Sequence, residues 1–163
     1  MTTSSRIDII PFEDRHAADF DRLNRTWLAA CGLLEPLDEP YLTAPRRMIL
    51  DPGGAIFLAV QDDTVIGTAA AIPAGTDAVE LVKVGVVPTA RSSGTGRRLV
   101  CAVIAHARQR GMARVVLTSN SGLTAALSLY RSLGFVDHPC PPDVGYVTAD
   151  VYMELALDGP TGA

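Results

Sequence analysis

The chain has 163 residues, 48% of them hydrophobic and 20% charged, a composition typical of one folded globular domain rather than a disordered or fibrous protein. Its net charge of −4 argues against a general nucleic-acid binder, and no apolar run approaches the roughly 20 residues that span a bilayer. The start, MTTSSRIDII, lacks a signal-peptide layout, and three widely spaced cysteines form no CxxC pair, so we expect a cytoplasmic protein with reduced thiols and no structural metal.

Hydrophobic spacing and chain-breaking residues predict the order of the elements. In chain order these are a strand (7–11), a helix ending at Gly32, a loop (33–45) leading into a short helix near Pro45, a hairpin (55–60 and 65–72), a strand (78–87), a helix ending at Gly111, a buried strand (115–119), a helix (123–133), a strand beginning at Phe135 and a last strand (151–157). Only the middle of this order is a strand–helix–strand crossover, which implies locally parallel pairing inside a mixed sheet. The sequence therefore predicts an α+β fold with helices on both faces of the sheet.

The segment RSSGTGRRL (91–99) places three arginines around two glycines at the start of a predicted helix. Positive side chains are unfavourable at a helix N-terminus unless an anion lies there. Residues 81–136 contain eight basic residues and no acidic one, which leaves six basic and all 18 acidic residues elsewhere. This asymmetry favours a small polyanionic ligand held at one place, although solvated arginines are the alternative.

The RxxGxG pattern between a strand and a helix is a phosphate-binding layout, because glycines let backbone N–H groups approach the ligand. It does not fit a P-loop, since no GK[ST] follows, or a dinucleotide fingerprint, since a third glycine is missing. Taken alone, the pattern is a weak signal.

In context, the chain resembles the GNAT superfamily of N-acetyltransferases, which bind acetyl-CoA. Three segments carry the resemblance in the family's order: ELVKVGVVP (80–88), RSSGTG (91–96) and ALSLYRSLGF (126–135). The resemblance implies one GNAT domain over 1–163, with a CoA-binding core at about 78–136 and acceptor-selecting segments at about 17–50 and 137–150. It also implies the GNAT fold, a mixed, mostly antiparallel sheet with a splayed parallel strand pair at the CoA site.

The resemblance also implies which residues contact acetyl-CoA. The strand stretch would pair its backbone with the pantetheine arm, the loop would bind the pyrophosphate, and Gly85 could mark the bulge that splays the strands; a glycine at a close backbone contact is an equal alternative. The implied contacts are Val84, Gly85, Val86, Arg91, Ser92, Ser93, Gly94, Thr95, Gly96 and Arg97. Many relatives carry an asparagine at the position of Leu123, and Asn120 lies nearby but out of register, so we assign Asn120 to the cofactor site as a hypothesis.

Two residues match the family's catalytic positions. Tyr130 would protonate the departing thiolate, with a core tyrosine as the alternative, and Glu80 would act as general base, with a solvated strand end as the alternative. Cys101 is interpreted as a buried core thiol because its neighbours are apolar, so direct attack in a ternary complex is the expected mechanism.

The acceptor should lie against segments outside the CoA core, and the substrate residues predicted there are Trp27, Glu35 and Tyr41. We expect acetyl-CoA and a primary amine of a small molecule as partners, without metal, nucleic acid or membrane, and leave a homodimer open. Some peptide-modifying relatives place a glutamate where this chain has Thr118, which argues against a protein acceptor. A protein or peptide N-acetyltransferase and a non-catalytic acyl-CoA-binding module remain the alternatives.

Overall fold

The computed structural model describes residues 5–157, which form a seven-stranded mixed sheet with helices on both faces. The elements are β1 (Ile7–Pro11), a 3₁₀ turn (Asp14–His16), α1 (Ala17–Ala30), a 3₁₀ turn (Pro36–Asp38), α2 (Glu39–Thr43), a π-helical turn (Arg46–Leu50), β2 (Ala55–Gln61), β3 (Thr64–Ala74), β4 (Ala78–Val86), a 3₁₀ turn (Pro88–Ala90), α3 (Thr95–Gln109), β5 (Arg114–Ser119), α4 (Thr124–Ser132), β6 (Val136–His138) and β7 (Val151–Ala156). The predicted fold class is confirmed. None of the helices in this part of the chain is long and apolar enough to cross a membrane.

The strands lie in the order β1-β2-β3-β4-β5-β7-β6, and β4 and β5 are the parallel pair. Their pairing is short, running only from Ala78 opposite Arg114 to Glu80 opposite Val116. Beyond Glu80, β4 continues to Val86 and β5 to Ser119 without pairing to each other. The two strands therefore diverge and leave a gap in the middle of the sheet, as the resemblance implied.

Each face of the sheet carries its own apolar core because side chains alternate along the strands. On one face, α3 contributes Leu99, Val103 and Ala107 to a cluster that also includes residues of α4. On the other face, Phe20 and Leu23 of α1 pack with residues of α2, β2 and β3. We refer to these as the α3 face and the α1 face.

The segment 33–45 differs from the predicted loop, because it contains the 3₁₀ turn Pro36–Asp38 and α2. Its prolines lie in the first turn of each helical piece, where a missing N–H costs nothing. The Asp38 side chain accepts a hydrogen bond of 2.8 Å from the Glu35 N–H, which caps the turn. Pro36 and Pro40 therefore lie at the starts of helical turns in a segment that we had predicted to be a loop.

Candidate active site

The main cavity lies in the gap between β4 and β5, has a volume of about 760 Å³, and is open to solvent. Pockets of this size hold small-molecule ligands in other proteins. Its lining comes from both faces of the sheet: the start of α3 and α4 on one side, and the end of α1 with the segment around Asp38 on the other. The cavity therefore connects the two faces through the gap.

The α3 end of the cavity is formed by the predicted pyrophosphate loop. Ser92 and Gly94 both have left-handed φ angles, of 65° and 82°, and Gly94 is the N-cap of α3. The first i to i−4 hydrogen bond of α3 is from Arg98 N–H to Gly94, so the preceding N–H groups have no helical partner. A Cβ built on Gly94 would meet no described atom within 4 Å. These N–H groups border open space, which is the arrangement that binds an anion at a helix N-terminus.

The three arginines of the loop have different surroundings. Arg91 and Arg97 line the cavity, where Arg91 donates to the Val86 carbonyl and Arg97 to the Ser132 hydroxyl at 2.7 Å. Arg98 instead points to β1 and donates to the Ile7 carbonyl at 2.8 Å. Two of the three cations therefore face the cavity, and the third stabilises the edge of the sheet.

Two hydroxyl groups hold the loop in shape, that of the buried Thr95 and that of the exposed Ser93. Thr95 is 1% exposed, and its hydroxyl lies 2.6 Å from that of Ser93, which in turn donates to the Ala90 carbonyl. These two side chains support the loop from within. Neither residue lines the cavity, whose lining in this segment comes from Arg91, Ser92, Gly94, Gly96 and Arg97.

Tyr130 lies on α4, with its ring packed against Phe135 at a centroid distance of 5.8 Å. The residue is 6% exposed, yet it lines the cavity, and burial raises the pKa of its hydroxyl to about 12. No described residue hydrogen-bonds to this hydroxyl. The phenol is therefore positioned by its ring and stays protonated over the whole physiological range.

Glu80 lines the cavity. It is the last residue of β4 that pairs with β5, and these two strands diverge beyond it. Burial raises the pKa of its carboxyl group, and the positive charge of Lys83 opposes that rise. Its carboxylate has no hydrogen-bond partner among the described residues. The raised pKa makes this half-buried carboxylate a stronger base than an ordinary glutamate.

The bulge of β4 lies at Lys83, which corrects the prediction that Gly85 forms it. Thr68 pairs with Gly85 and Ala70 with Val82, so β4 contains one extra residue between them. Lys83 has a φ of 54°, a left-handed conformation that costs a non-glycine residue about 1–2 kcal/mol. In a regular strand Lys83 would point to the opposite face from Glu80; the extra residue turns it to the α1 face.

On the α1 face, Lys83 forms a buried ion pair with Asp38, with 2.6 Å between Nζ and Oδ1. Its ammonium group lies 5.6 Å and 5.5 Å from the ring centres of Tyr41 and Tyr146. Burial and then the charge of Asp38 raise the pKa of Tyr146 far above its ordinary value. The sequence did not indicate that Lys83 and Tyr146 lie together at the cavity; the one available signal was a lysine in a mostly apolar strand whose other charged residue is Glu80.

Gly85 is required by Trp27 of α1. A Cβ on Gly85 would overlap the indole ring, and the ring is held by a 2.9 Å hydrogen bond from its Nε1 to the fully buried Asn24. We expect Gly85→Ala to lower the free energy of unfolding by about 1–3 kcal/mol, because neither side can move without disturbing the core. Urea denaturation measures this.

The matched control is Gly96→Ala, whose added Cβ would lie at an ordinary 3.6 Å from Leu129. If both variants unfold at the same urea concentration, the contact with Trp27 is not the reason that a glycine is needed at position 85.

The three predicted substrate residues lie in different surroundings. Trp27 lines the cavity, and Tyr41 lies behind it against Lys83. Glu35 does not line the cavity; its carboxylate accepts hydrogen bonds from the backbone of Val147 and Thr148, each at 2.9 Å. The predicted acceptor contact of Glu35 is thus replaced by a structural one, which anchors the segment that carries Tyr146.

Asn120 lines the cavity, but its side-chain amide is also used internally. It donates to the Thr148 carbonyl at 2.7 Å and accepts from the Gly122 N–H at 2.8 Å. A contact between Asn120 and a cofactor stays a prediction. Cys101 is exposed and does not line the cavity, so its interpretation as a buried core thiol is wrong. Its apolar neighbours, such as Val100 and Val103, lie on the buried side of α3, and Cys101 lies outside that side.

Comparisons with known proteins show what this chain is similar to. A model described as the acetyltransferase (GNAT) family matches residues 20–135. The mycothiol acetyltransferase of Thermobispora bispora is 42% identical over 91 residues, which cover 52% of this chain and 30% of that protein. The chain thus spans less than a third of the length of this relative.

Solved structures share the fold. An acetyltransferase of the GNAT family from Staphylococcus aureus Mu50 superposes with a TM-score of 0.86 at 18% identity, covering 94% of this chain and 100% of that one. The Salmonella typhimurium protein yncA, solved with its cofactor acetyl-CoA, gives a TM-score of 0.78 at 22% identity over 96% of both chains. At these identities the likeness concerns the fold.

Proposed function

The chain belongs to the GNAT family of acetyltransferases, and from that premise we propose that it transfers an acetyl group from acetyl-CoA to the primary amine of a small molecule. The observation that carries the proposal is the single cavity that reaches the N-terminus of α3 on one face and Glu80 on the other. A donor bound on the α3 face and an acceptor bound on the α1 face would meet in the gap between β4 and β5.

The α3 side has the groups that acetyl-CoA requires. The open N–H groups of the loop and the side chains of Arg91 and Arg97 would take the pyrophosphate. From Leu81 to Val86, the side of β4 that faces β5 has no strand partner, so Val84–Val86 can pair with the amide groups of the pantetheine arm.

On the α1 side, Glu80 would remove a proton from the acceptor's ammonium group. An amine in water is mostly protonated at neutral pH and cannot attack until it loses a proton. Glu80 has a raised pKa and no internal partner among the described residues, so its carboxylate is free to accept that proton. The amine nitrogen then attacks the acetyl carbonyl directly.

Tyr130 would give a proton to the thiolate that leaves. Burial raises the pKa of this phenol, and the same burial raises the pKa of a thiolate placed beside it, so the transfer between them stays accessible. The bond between the carbonyl carbon and sulfur breaks as the new bond to nitrogen forms, and CoA departs as the thiol. The nitrogen then loses its second proton to become the amide, and that proton replaces the one that Tyr130 gave.

A small-molecule acceptor is supported by two observations. The mouth on the α1 side is bordered by the end of α1 and by the segment that Glu35 anchors, and the whole cavity has a volume of about 760 Å³, within the range of small-molecule pockets. The relative from Thermobispora bispora is named for mycothiol rather than for a protein.

The experiment that tests the proposal is a thiol-release assay with acetyl-CoA and a panel of small primary amines, with peptides as the comparison. Release of CoA with one of the small amines, at a rate well above acetyl-CoA hydrolysis, is the expected result. Turnover of peptides alone would identify a protein acetyltransferase, and binding of acetyl-CoA without any turnover would identify a non-catalytic module.

The loop assignment has its own test in Gly94→Glu. Because open space lies beside Gly94 and an anion is expected there, a carboxylate at this position should reduce acetyl-CoA affinity by at least about tenfold. Calorimetric titration measures the affinity. Gly94→Gln is the matched control, with the same size and backbone strain but no charge; equal affinities for the two variants would show that no anion binds at this loop.

A further inference from the structure

The carboxylates near the acceptor end of the cavity are almost all committed to internal partners. Of the described residues that line the cavity, Asp38 and Glu80 are the acidic ones. Asp38 uses one oxygen for the Lys83 ammonium at 2.6 Å and the other for the Glu35 N–H at 2.8 Å. Asp38 and Lys83 together carry no net charge. Of the described acidic residues that line the cavity, Glu80 is therefore the one without an internal partner.

The acidic residues around this end are occupied as well. Glu35 accepts hydrogen bonds from the backbone of Val147 and Thr148 and from the Thr148 hydroxyl. Glu39 is held by two hydrogen bonds from Arg25. The acceptor end therefore offers one uncommitted negative charge, which matches one ammonium group.

The ion pair between Lys83 and Asp38 leaves neither group free to neutralise a second cation in the same space. The backbone strain at Lys83 places this charge on the same face as Glu80, and only 7% of its side chain is exposed. A second ammonium group on an acceptor that bound in this space would find no free counter-ion among the described residues. Burying an unpaired charge carries a large cost in free energy.

The wall opposite β4 on the α1 face is apolar, and a helix-ending motif builds it. At the end of α1 the Leu33 N–H donates to the Leu28 carbonyl at 2.8 Å, and the Gly32 N–H donates to the Ala29 carbonyl at 3.1 Å. This pair of hydrogen bonds defines a Schellman motif, which brings Leu28 and Leu33 together. Both leucines line the cavity beside Trp27.

Resting on the proposed function, we infer that the acceptor is a primary monoamine carried on an apolar body, and that diamines, polyamines and basic peptides are poor acceptors. The ammonium group binds at Glu80, while the apolar body lies against Trp27, Leu28 and Leu33. One uncommitted carboxylate, one ion pair that is neutralised internally and an apolar wall together define this class.

Hexylamine and hexamethylenediamine test the inference, because they share a carbon chain and differ by one ammonium group. We expect kcat/KM for hexylamine to exceed that for the diamine by at least about tenfold, as when a pocket must accept a charge for which it has no partner. Equal use of the two amines, or preference for the diamine, would overturn the inference while acetyl transfer itself stands.

Leu33→Glu adds a second carboxylate to the wall at a partly exposed position. In this variant the ratio of kcat/KM for hexylamine to kcat/KM for hexamethylenediamine should fall by about tenfold, since the added carboxylate can pair with the second ammonium group. Leu33→Gln is the matched neutral control and should leave the diamine disfavoured. An unchanged preference in Leu33→Glu would show that this wall does not face the acceptor.

Calorimetric titration of the two amines into the CoA-saturated protein gives the same comparison without turnover. Tighter binding of hexylamine supports the inference even if no acetyl group moves, a result that would contradict the proposed function alone. Absence of hexylamine binding at millimolar concentration would overturn the inference.

Discussion

Replacing Tyr130 with phenylalanine is expected to lower kcat about 100-fold, within the range for loss of one proton-transfer group. The change removes only the hydroxyl, so the ring should keep its packing against Phe135. Affinity for acetyl-CoA should stay nearly unchanged because the phenol is proposed to act on the departing sulfur. Steady-state kinetics and calorimetric titration with acetyl-CoA separate the two quantities.

The matched control is Tyr152→Phe, which removes a phenol hydroxyl that donates to Glu154 at 2.6 Å and does not line the cavity. That variant should retain most of its activity. If Tyr130→Phe instead weakens acetyl-CoA binding and leaves kcat intact, Tyr130 is a structural residue and the departing thiolate is protonated by water.

The fold could be predicted well where local signals and packing agree. Hydrophobic spacing and Gly32 predicted the first helix. That helix ends at Ala30, and Gly32 follows it with a φ of 69°. The crossover from β4 through α3 to β5 followed from the order of the elements, and the parallel pair is confirmed. The segment 33–45 was predicted wrongly because a proline in a first helical turn looks the same in sequence as a proline in a loop.

The site could be predicted best where one segment or a family motif carries the signal. The predicted pyrophosphate loop is one unbroken segment, so its position at the start of α3 followed from RSSGTG, and Glu80 and Tyr130 line the cavity as expected. The bulge at Lys83 could not, because a left-handed φ at lysine is imposed by tertiary contacts with Asp38 and the neighbouring strand. The position of Glu35 likewise depends on a segment more than 100 residues away along the chain.

The surroundings of Glu80 raise the pKa of its carboxyl group, so the pH above which it can act as a base is higher than for an ordinary glutamate. Burial disfavours its carboxylate and raises its pKa, and Lys83 limits the rise. A general base acts only when deprotonated, so kcat/KM should fall as the pH drops through this raised pKa. We therefore expect the acidic limb of the pH profile to lie above the ordinary pKa of glutamate.

Glu80→Gln keeps the size of the side chain and cannot accept a proton. It should lower kcat at neutral pH by about 10²–10⁴-fold, and the loss should shrink as rising pH deprotonates the amine in solution. The acidic limb assigned to Glu80 should disappear from the profile. Kinetics from acidic to alkaline pH, with an amine found in the thiol-release panel, measure both effects.

Glu154→Gln is the control for Glu80→Gln because Glu154 lies in the same row of the sheet, across Val116, but outside the cavity lining. Its kcat and pH profile should follow those of the parent protein. If Glu80→Gln raises KM for the amine and alkali does not restore the rate, Glu80 binds the acceptor's ammonium without removing its proton. An unchanged rate and profile would remove Glu80 from the mechanism, and the free-amine fraction in solution would then have to supply the nucleophile.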